Sequence, residues 1–253
     1  MELTNLIVLV FIGLASAGLF VLTSRVKRGN KVTLRPQTGY IALHKQVGRA
    51  VESGQPLHIS LGRGNLAGPA SPTSVAALTM LTHLAEGSCA SGMPPTVTTG
   101  DGSLMITAQD RLRRAFQQAH RSQEFNLALV QNQSGDTFPL AYAAGANQLL
   151  HQQPIGSNIL AGRFGSEIAF MTEAGERIQA EQIVSSDDPV ALAVAYPVSD
   201  ELIIGEEHLA AGAYLQNQPT QQASVQLQDI LRLLVILAII LAAFVGFISN
   251  LVN

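Results

Sequence analysis

Two long apolar blocks, one near each end of the chain, constrain this sequence more than anything between them. The first runs from Leu3 to Leu22 and the second from Ile230 to Val252. Each is about 20 residues, the length that carries an α-helix across a hydrocarbon core of roughly 30 Å. The second block holds one charge, Arg232, near enough to its start to reach the interface. The expected frame is a transmembrane helix at 3–22 and another at 230–252, with everything else strung between them.

Loop charge orients the frame. Arg25, Lys27, Arg28, Lys31 and Arg35 follow the first block with no acid among them, whereas the MELTN before it has no Lys or Arg. Basic residues stay on the cytoplasmic side, so the intervening domain is expected in the cytoplasm and both termini outside. No basic n-region or small-residue cleavage site marks a signal peptide. The basic linker at 23–37 fits anionic headgroups, making membrane lipid an expected partner. A net charge of −3 gives no reason to expect nucleic acid. The one cysteine, Cys89, allows no internal disulfide and fits a reducing compartment; it reads as lying in a flexible loop, EGSCASG.

Residues 38–215 carry a repeated helix–strand alternation. TGYIALHKQVGRAVES (38–53) reads as a helix with Gly54 as its C-terminal cap, and LHISL (57–61) as a strand. SPTSVAALTMLTHLAEG (71–87) reads as a helix capped by Ser71, and PTVTTG (95–100) as a strand. SLMITAQDRLRRAFQQAHR (103–121) has the clearest helical stripe, through Leu104, Ala108, Leu112, Ala115, Phe116 and Ala119. FNLALVQ (125–131) and NILAG (158–162) read as strands, FPLAYAAGANQLL (138–150) and FGSEIAFMTEAGERI (164–178) as helices. ALAVAYPV (191–198) and ELIIG (201–205) also read as strands, and EEHLAAGAYL (206–215) as a closing helix. QNQPTQQASVQLQ (216–228) has the composition of a polar linker or stalk. Short strands that are apolar on both faces, alternating with helices, predict an α/β class: a Rossmann-like or flavodoxin-like three-layer domain with a mainly parallel sheet.

In such a sheet, ligands bind outside the carboxyl ends of the strands. Four candidate strand ends are SLGRGN (60–65), TTGDGS (98–103), QNQSGD (131–136) and AGRFGSE (161–167). Gly62, Gly64 and Ala67 match G-x-G-x-x-G/A, in which glycines let a backbone approach a pyrophosphate. Yet the next helix starts about seven residues late and no strand-end acid stands about 20 residues on, so the letters fit a tight corner better than a nucleotide turn. Under an anion-binding reading, Arg63 or Arg163 neutralises the ligand, Asp101 takes a ribose hydroxyl and Ser166 adds a donor. Turn and cap chemistry explains Asp101, Ser103, Arg163, Ser166, Asp187 and Asp188 equally.

Chemistry finds little purchase elsewhere. His44, His58, His83, His120, His151 and His208 form no H-x-x-x-H or H-E-x-x-H motif, and His58 on a strand reads as a core histidine. There is no G-x-S-x-G elbow and no Gly-Lys-Ser/Thr triplet. The arginines at 111, 113, 114 and 121 read as a solvated helix face. The sequence therefore argues against an enzyme and names no cofactor and no metal. It favours a scaffold or assembly subunit of a membrane complex, partnered by a second copy or another membrane protein. Small residues in the blocks, including Gly18, Ala242 and Gly246, suit close helix packing. The alternative is a nucleotide- or anion-binding regulatory domain using Gly62–Ala67.

The terminal blocks taken with LHISLGRGNL, TTGDGS and AGRFGSE resemble a family of uncharacterised prokaryotic membrane proteins, a domain of unknown function. The resemblance implies a membrane-tethered α/β domain and supplies no catalytic residues. Reporter fusions check the orientation: a reporter at either terminus is expected to be active outside the cytoplasm, and one inserted at 216–222 inside it. The reverse pattern would overturn the compartment.

Overall fold

The computed structural model describes residues 2–29, 32, 34–133 and 138–252. In chain order come α1 (Glu2–Lys27), α2 (Thr38–Ser53), β1 (Leu57–Gly62), α3 (Ser71–Ala90) and β2 (Thr96–Thr99). Then follow α4 (Gly102–Gln118), β3 (Val130–Asn132), α5 (Pro139–Gln152), β4 (Ser157–Arg163) and α6 (Ile168–Arg177). The chain closes with β5 (Glu181–Ser186), α7 (Pro189–Ala195), β6 (Glu201–Ile204), α8 (Glu206–Leu209), α9 (Ala211–Leu215) and α10 (Pro219–Val252). Two compact units result: residues 35–216, and residues 1–34 with 217–253.

In the unit formed by the chain ends, α1 and α10 pack side by side, and a Cβ on Gly18 would stand 3.2 Å from Leu227 Cδ1. Both helices are long and apolar enough to cross a membrane, over Val8–Lys27 and Pro219–Phe244. The stretch read as a polar linker is helical from Pro219 onward. Proline suits a first helical turn, and its Gln- and Ala-rich sequence runs without a breaker into the apolar block.

All six strands are parallel, in the order β3-β2-β1-β4-β5-β6. That is the doubly wound Rossmann order, so of the two expected architectures the first is present. Every residue of β1 and β2 is buried, as layers of helix on both faces require. The edge strands β3 and β6 are short and partly exposed, which blunts the sheet's open edges.

The two faces of the sheet differ in chemistry. Leu57, Ile59, Leu61, Val97, Ile159, Ile183 and Ile203 build an apolar face against α2, α3, α4 and α9. The opposite face, under α5, α6 and α7, holds a polar ladder across four strands. His58 Nδ1 lies 2.8 Å from Asn158 Oδ1, and Asn158 Nδ2 donates to Gln182 Oε1 at 3.3 Å and to the Met171 carbonyl at 3.2 Å. The amide nitrogen of Asn158 is thus spent as donor, so its oxygen accepts and His58 Nδ1 carries the proton. His58 Nε2 then accepts from Thr98 Oγ1 at 3.0 Å, and Gln182 Nε2 donates to the Val198 carbonyl at 3.0 Å. His58 is the satisfied core histidine its strand position suggested.

Three segments depart from the sequence expectation for local reasons. ALAVA is not a strand but α7: Asp188 caps it by accepting from Val190 N at 2.8 Å and Ala191 N at 3.3 Å, and Pro189 fits its first turn. FNLALVQ is strand only from Val130; Asn126 accepts from Ala128 N at 2.9 Å and winds Leu127–Leu129 into a 3-10 turn. Cys89 lies inside α3, not in a loop, fully buried, with its thiol pushed up to about 11 by that burial.

Burial holds His58 neutral by pushing its pKa down to about 4, against about 6.5 in an unfolded chain. Between those values the unfolded state binds more protons. Stability is therefore full above the unfolded pKa and falls as pH drops through this window, by about 3 kcal/mol for this group. His83 and His208 shift in the same direction. Circular-dichroism melts of the full chain in detergent should show His58→Gln less stable at neutral pH but less sensitive to acidification. An unchanged pH slope would contradict the assignment.

Candidate functional site

The sheet reverses its winding between β1 and β4, and that switch point is where an open α/β sheet offers a crevice at its carboxyl edge. Three of the four expected loops meet there. Arg63 N donates to the Arg163 carbonyl at 2.9 Å, Gly100 N to the Gly62 carbonyl at 2.9 Å, and Leu66 N to Ser103 Oγ at 3.3 Å. The fourth is represented by Gln133 N, which donates to the Thr99 carbonyl at 2.8 Å. Ser134, Gly135 and Asp136 of that loop lie outside the described residues.

Gly62 is required by packing. Its φ is +72°, and a Cβ there would lie 2.5 Å from the Arg163 carbonyl oxygen. Gly162, with φ +139°, answers it across the gap: its Cβ would stand 2.3 Å from the Leu61 oxygen. The pairing register of β1 and β4 shifts between Ser60 and Gly62, so this is a β-bulge at the crevice floor. Gly64, at the far end of the bulge, faces α3; a Cβ would lie 2.6 Å from Ser74 Oγ and 3.5 Å from Arg163 Cβ.

The charged candidates divide. Arg63 Nε donates to Glu167 Oε1 at 2.5 Å, and Glu167 is 3% exposed while also accepting from Gly165 N at 2.9 Å. Arg163 is exposed at the mouth. Asp101 caps α4, accepting from Ser103 N at 2.8 Å, Leu104 N at 3.2 Å and the Ser103 hydroxyl. Ser166 is exposed just ahead of α6, which it does not cap. Ser71 likewise does not cap α3: it is that helix's first residue, and no side chain caps the helix.

Beneath the crevice sits a group absent from the sequence reading. Tyr142 is fully buried, its hydroxyl paired with Ser60. Burial pushes its pKa up to about 12, although Ser60, Thr98 and the Gly62 backbone pull it the other way. Two hydroxyls nearby in the fold, Ser74 Oγ on the first turn of α3 and Thr99 Oγ1 at the end of β2, are buried without a hydrogen-bond partner among the described residues. Nothing in the letters SPTS or TVTT distinguishes them from ordinary helix and strand residues. No cluster of three metal-ligating side chains occurs among the described residues. The arginine-rich face of α4 is largely engaged: Arg114 pairs with Asp110 at 2.9 Å, Arg121 with Glu124 at 2.7 Å, and Arg113 lies over the Phe125 ring at 5.2 Å.

Residues 1–253 match DUF6754, a domain of unknown function, and the chain belongs to that family. No curated protein and no solved structure matches it. The family supplies no activity, so expected effects at this site come from its geometry. Arg63→Met leaves the Glu167 carboxylate buried beside only the Gly165 amide and is expected to cost about 3 kcal/mol. Asp101→Ala removes a cap and is expected to cost about 1 kcal/mol. Chemical denaturation of the full chain in detergent checks both; equal, negligible effects would mean that neither contact is held.

Proposed function

We propose that this member of the family is a membrane-anchored assembly module that faces the cytoplasm and docks a partner protein, foremost a second copy, on the carboxyl edge of its sheet. One observation carries this reading: where the 35–216 unit exposes its large apolar side chains. Val75, Ile106, Phe138, Leu140, Phe170 and Val190 all stand at or near the first turn of a helix leaving that edge. Ile41 on α2, Ile204 at the end of β6 and Leu209 on α8 join them, whereas only Val51, Leu127 and Tyr196 stand elsewhere. Ile106 at 67% and Phe138 at 65% exposure contribute little to the core of their own chain. An apolar surface gathered on one side and rimmed by polar groups is what a protein interface uses.

The spans support the same reading, since close helix packing is already present where Gly18 meets Leu227. The alternative, a nucleotide- or anion-binding regulatory domain, is favoured by a different feature, the unpartnered Ser74 hydroxyl.

Native mass spectrometry of the full chain in detergent tests the assembly reading. An oligomer is expected, and Ile106→Glu combined with Phe170→Glu should dissociate it while leaving the circular-dichroism spectrum unchanged, because both side chains are exposed. A lone monomer in the unaltered protein would contradict the proposal.

A further inference from the structure

We infer that the corner between Gly64 and the first turn of α3 binds a phosphate group. Two features converge there. The first is the start of α3, a 20-residue helix whose amide dipoles favour negative charge and whose N-terminus no side chain caps. The second is Ser74 Oγ, fully buried and without a partner among the described residues. A helical serine ordinarily returns its hydroxyl to the carbonyl four residues back; this one stands instead against the Cα of Gly64. The position a Cβ would take there lies 2.6 Å from Ser74 Oγ, so the missing side chain leaves a cradle beside an unused donor.

The surrounding charge fits an oxyanion. Arg163 Cβ lies 3.5 Å from the same cradle and its side chain is exposed, free to swing over a bound group. The acids in the neighbourhood are occupied: Glu167 accepts from Arg63, Asp101 caps α4, and Asp187 accepts from Thr73 Oγ1 at 2.6 Å. Thr73 is thereby turned toward Asp187, leaving Ser74 as the hydroxyl on the Gly64 side of the turn. Residues 65–69 cover the corner, and the chain turns there at Gly68, with φ +89° and open space around its Cα. Entry of a phosphate requires that segment to lift, and Gly68 is where it bends.

A phosphate group reaches the corner either on a soluble ester or on a lipid headgroup. Three probes separate these sources: inorganic phosphate, adenosine monophosphate and dihexanoyl phosphatidic acid. Each is titrated against the full chain in a non-ionic detergent and phosphate-free buffer, with the melting temperature as readout. A rise with inorganic phosphate or the nucleotide places the source in solution; a rise with the lipid alone places it in the membrane. Ser74→Ala should bind roughly tenfold to a hundredfold more weakly, as loss of a hydrogen bond to a charged group does. It should not lower the melting temperature of the free protein, because it deletes a buried donor that has no partner. Gly64→Ala in the Ser74→Ala background fills the cradle without the clash and should abolish the response. No response to any probe would overturn the inference. So would a Ser74→Ala variant that keeps full affinity, or one that melts lower when free, which would show the hydroxyl to be a structural contact.

Discussion

The close approach of β1 and β4 at their carboxyl ends is the constraint on which the rest of the domain depends. Gly62 and Gly162 face each other across a bulge where neither backbone tolerates a Cβ. That approach carries Arg63 onto the Arg163 carbonyl and sets Arg63 within reach of Glu167. It also delivers Gly64 to the start of α3. A wider gap between these strands would separate the loops that form the crevice. The glycines first noticed as a nucleotide-like pattern are therefore needed by the fold at position 62, while position 64 keeps an open cradle. The same motif serves both structure and a candidate site.

The unlike faces of the sheet carry the second lesson. One face is a continuous apolar core, and the other staples β2, β1, β4 and β5 together through Thr98, His58, Asn158 and Gln182. A buried ladder of this kind is costly unless every member is satisfied, and here each of these side chains finds a partner. Such a network favours one strand order over its competitors, since a shifted strand would strand a histidine or an amide in the interior.

Much of this was legible in the sequence, and the reasons lie in particular residues. Runs such as LHISL and NILAG are apolar throughout, which only a strand covered on both faces requires, so the parallel sheet followed. Gly54 ends α2 in the left-handed conformation that glycine suits. ALAVA deceived because Ala and Val serve a helix or a buried strand alike; the Asp188–Pro189 start was the signal that should have decided it. The strand order, the partner of Gly62 and the idleness of the Ser74 hydroxyl could not be read. Each is set by residues on other elements, about 100 positions away for Gly62 and Arg163, and no local pattern encodes them. The preference for an assembly role over chemistry, by contrast, came from missing motifs alone and acquires a positive basis only from the apolar rim.

That rim is the account's central claim, and hydrogen–deuterium exchange on the full chain tests it most directly. The protein is compared at a concentration where it is assembled and after dilution in detergent. The account predicts that slowed exchange in the assembled sample concentrates at the helix starts of the carboxyl edge, around 102–107, 138–141 and 168–171. Protection confined to the opposite edge, or none in the 35–216 unit, would contradict it.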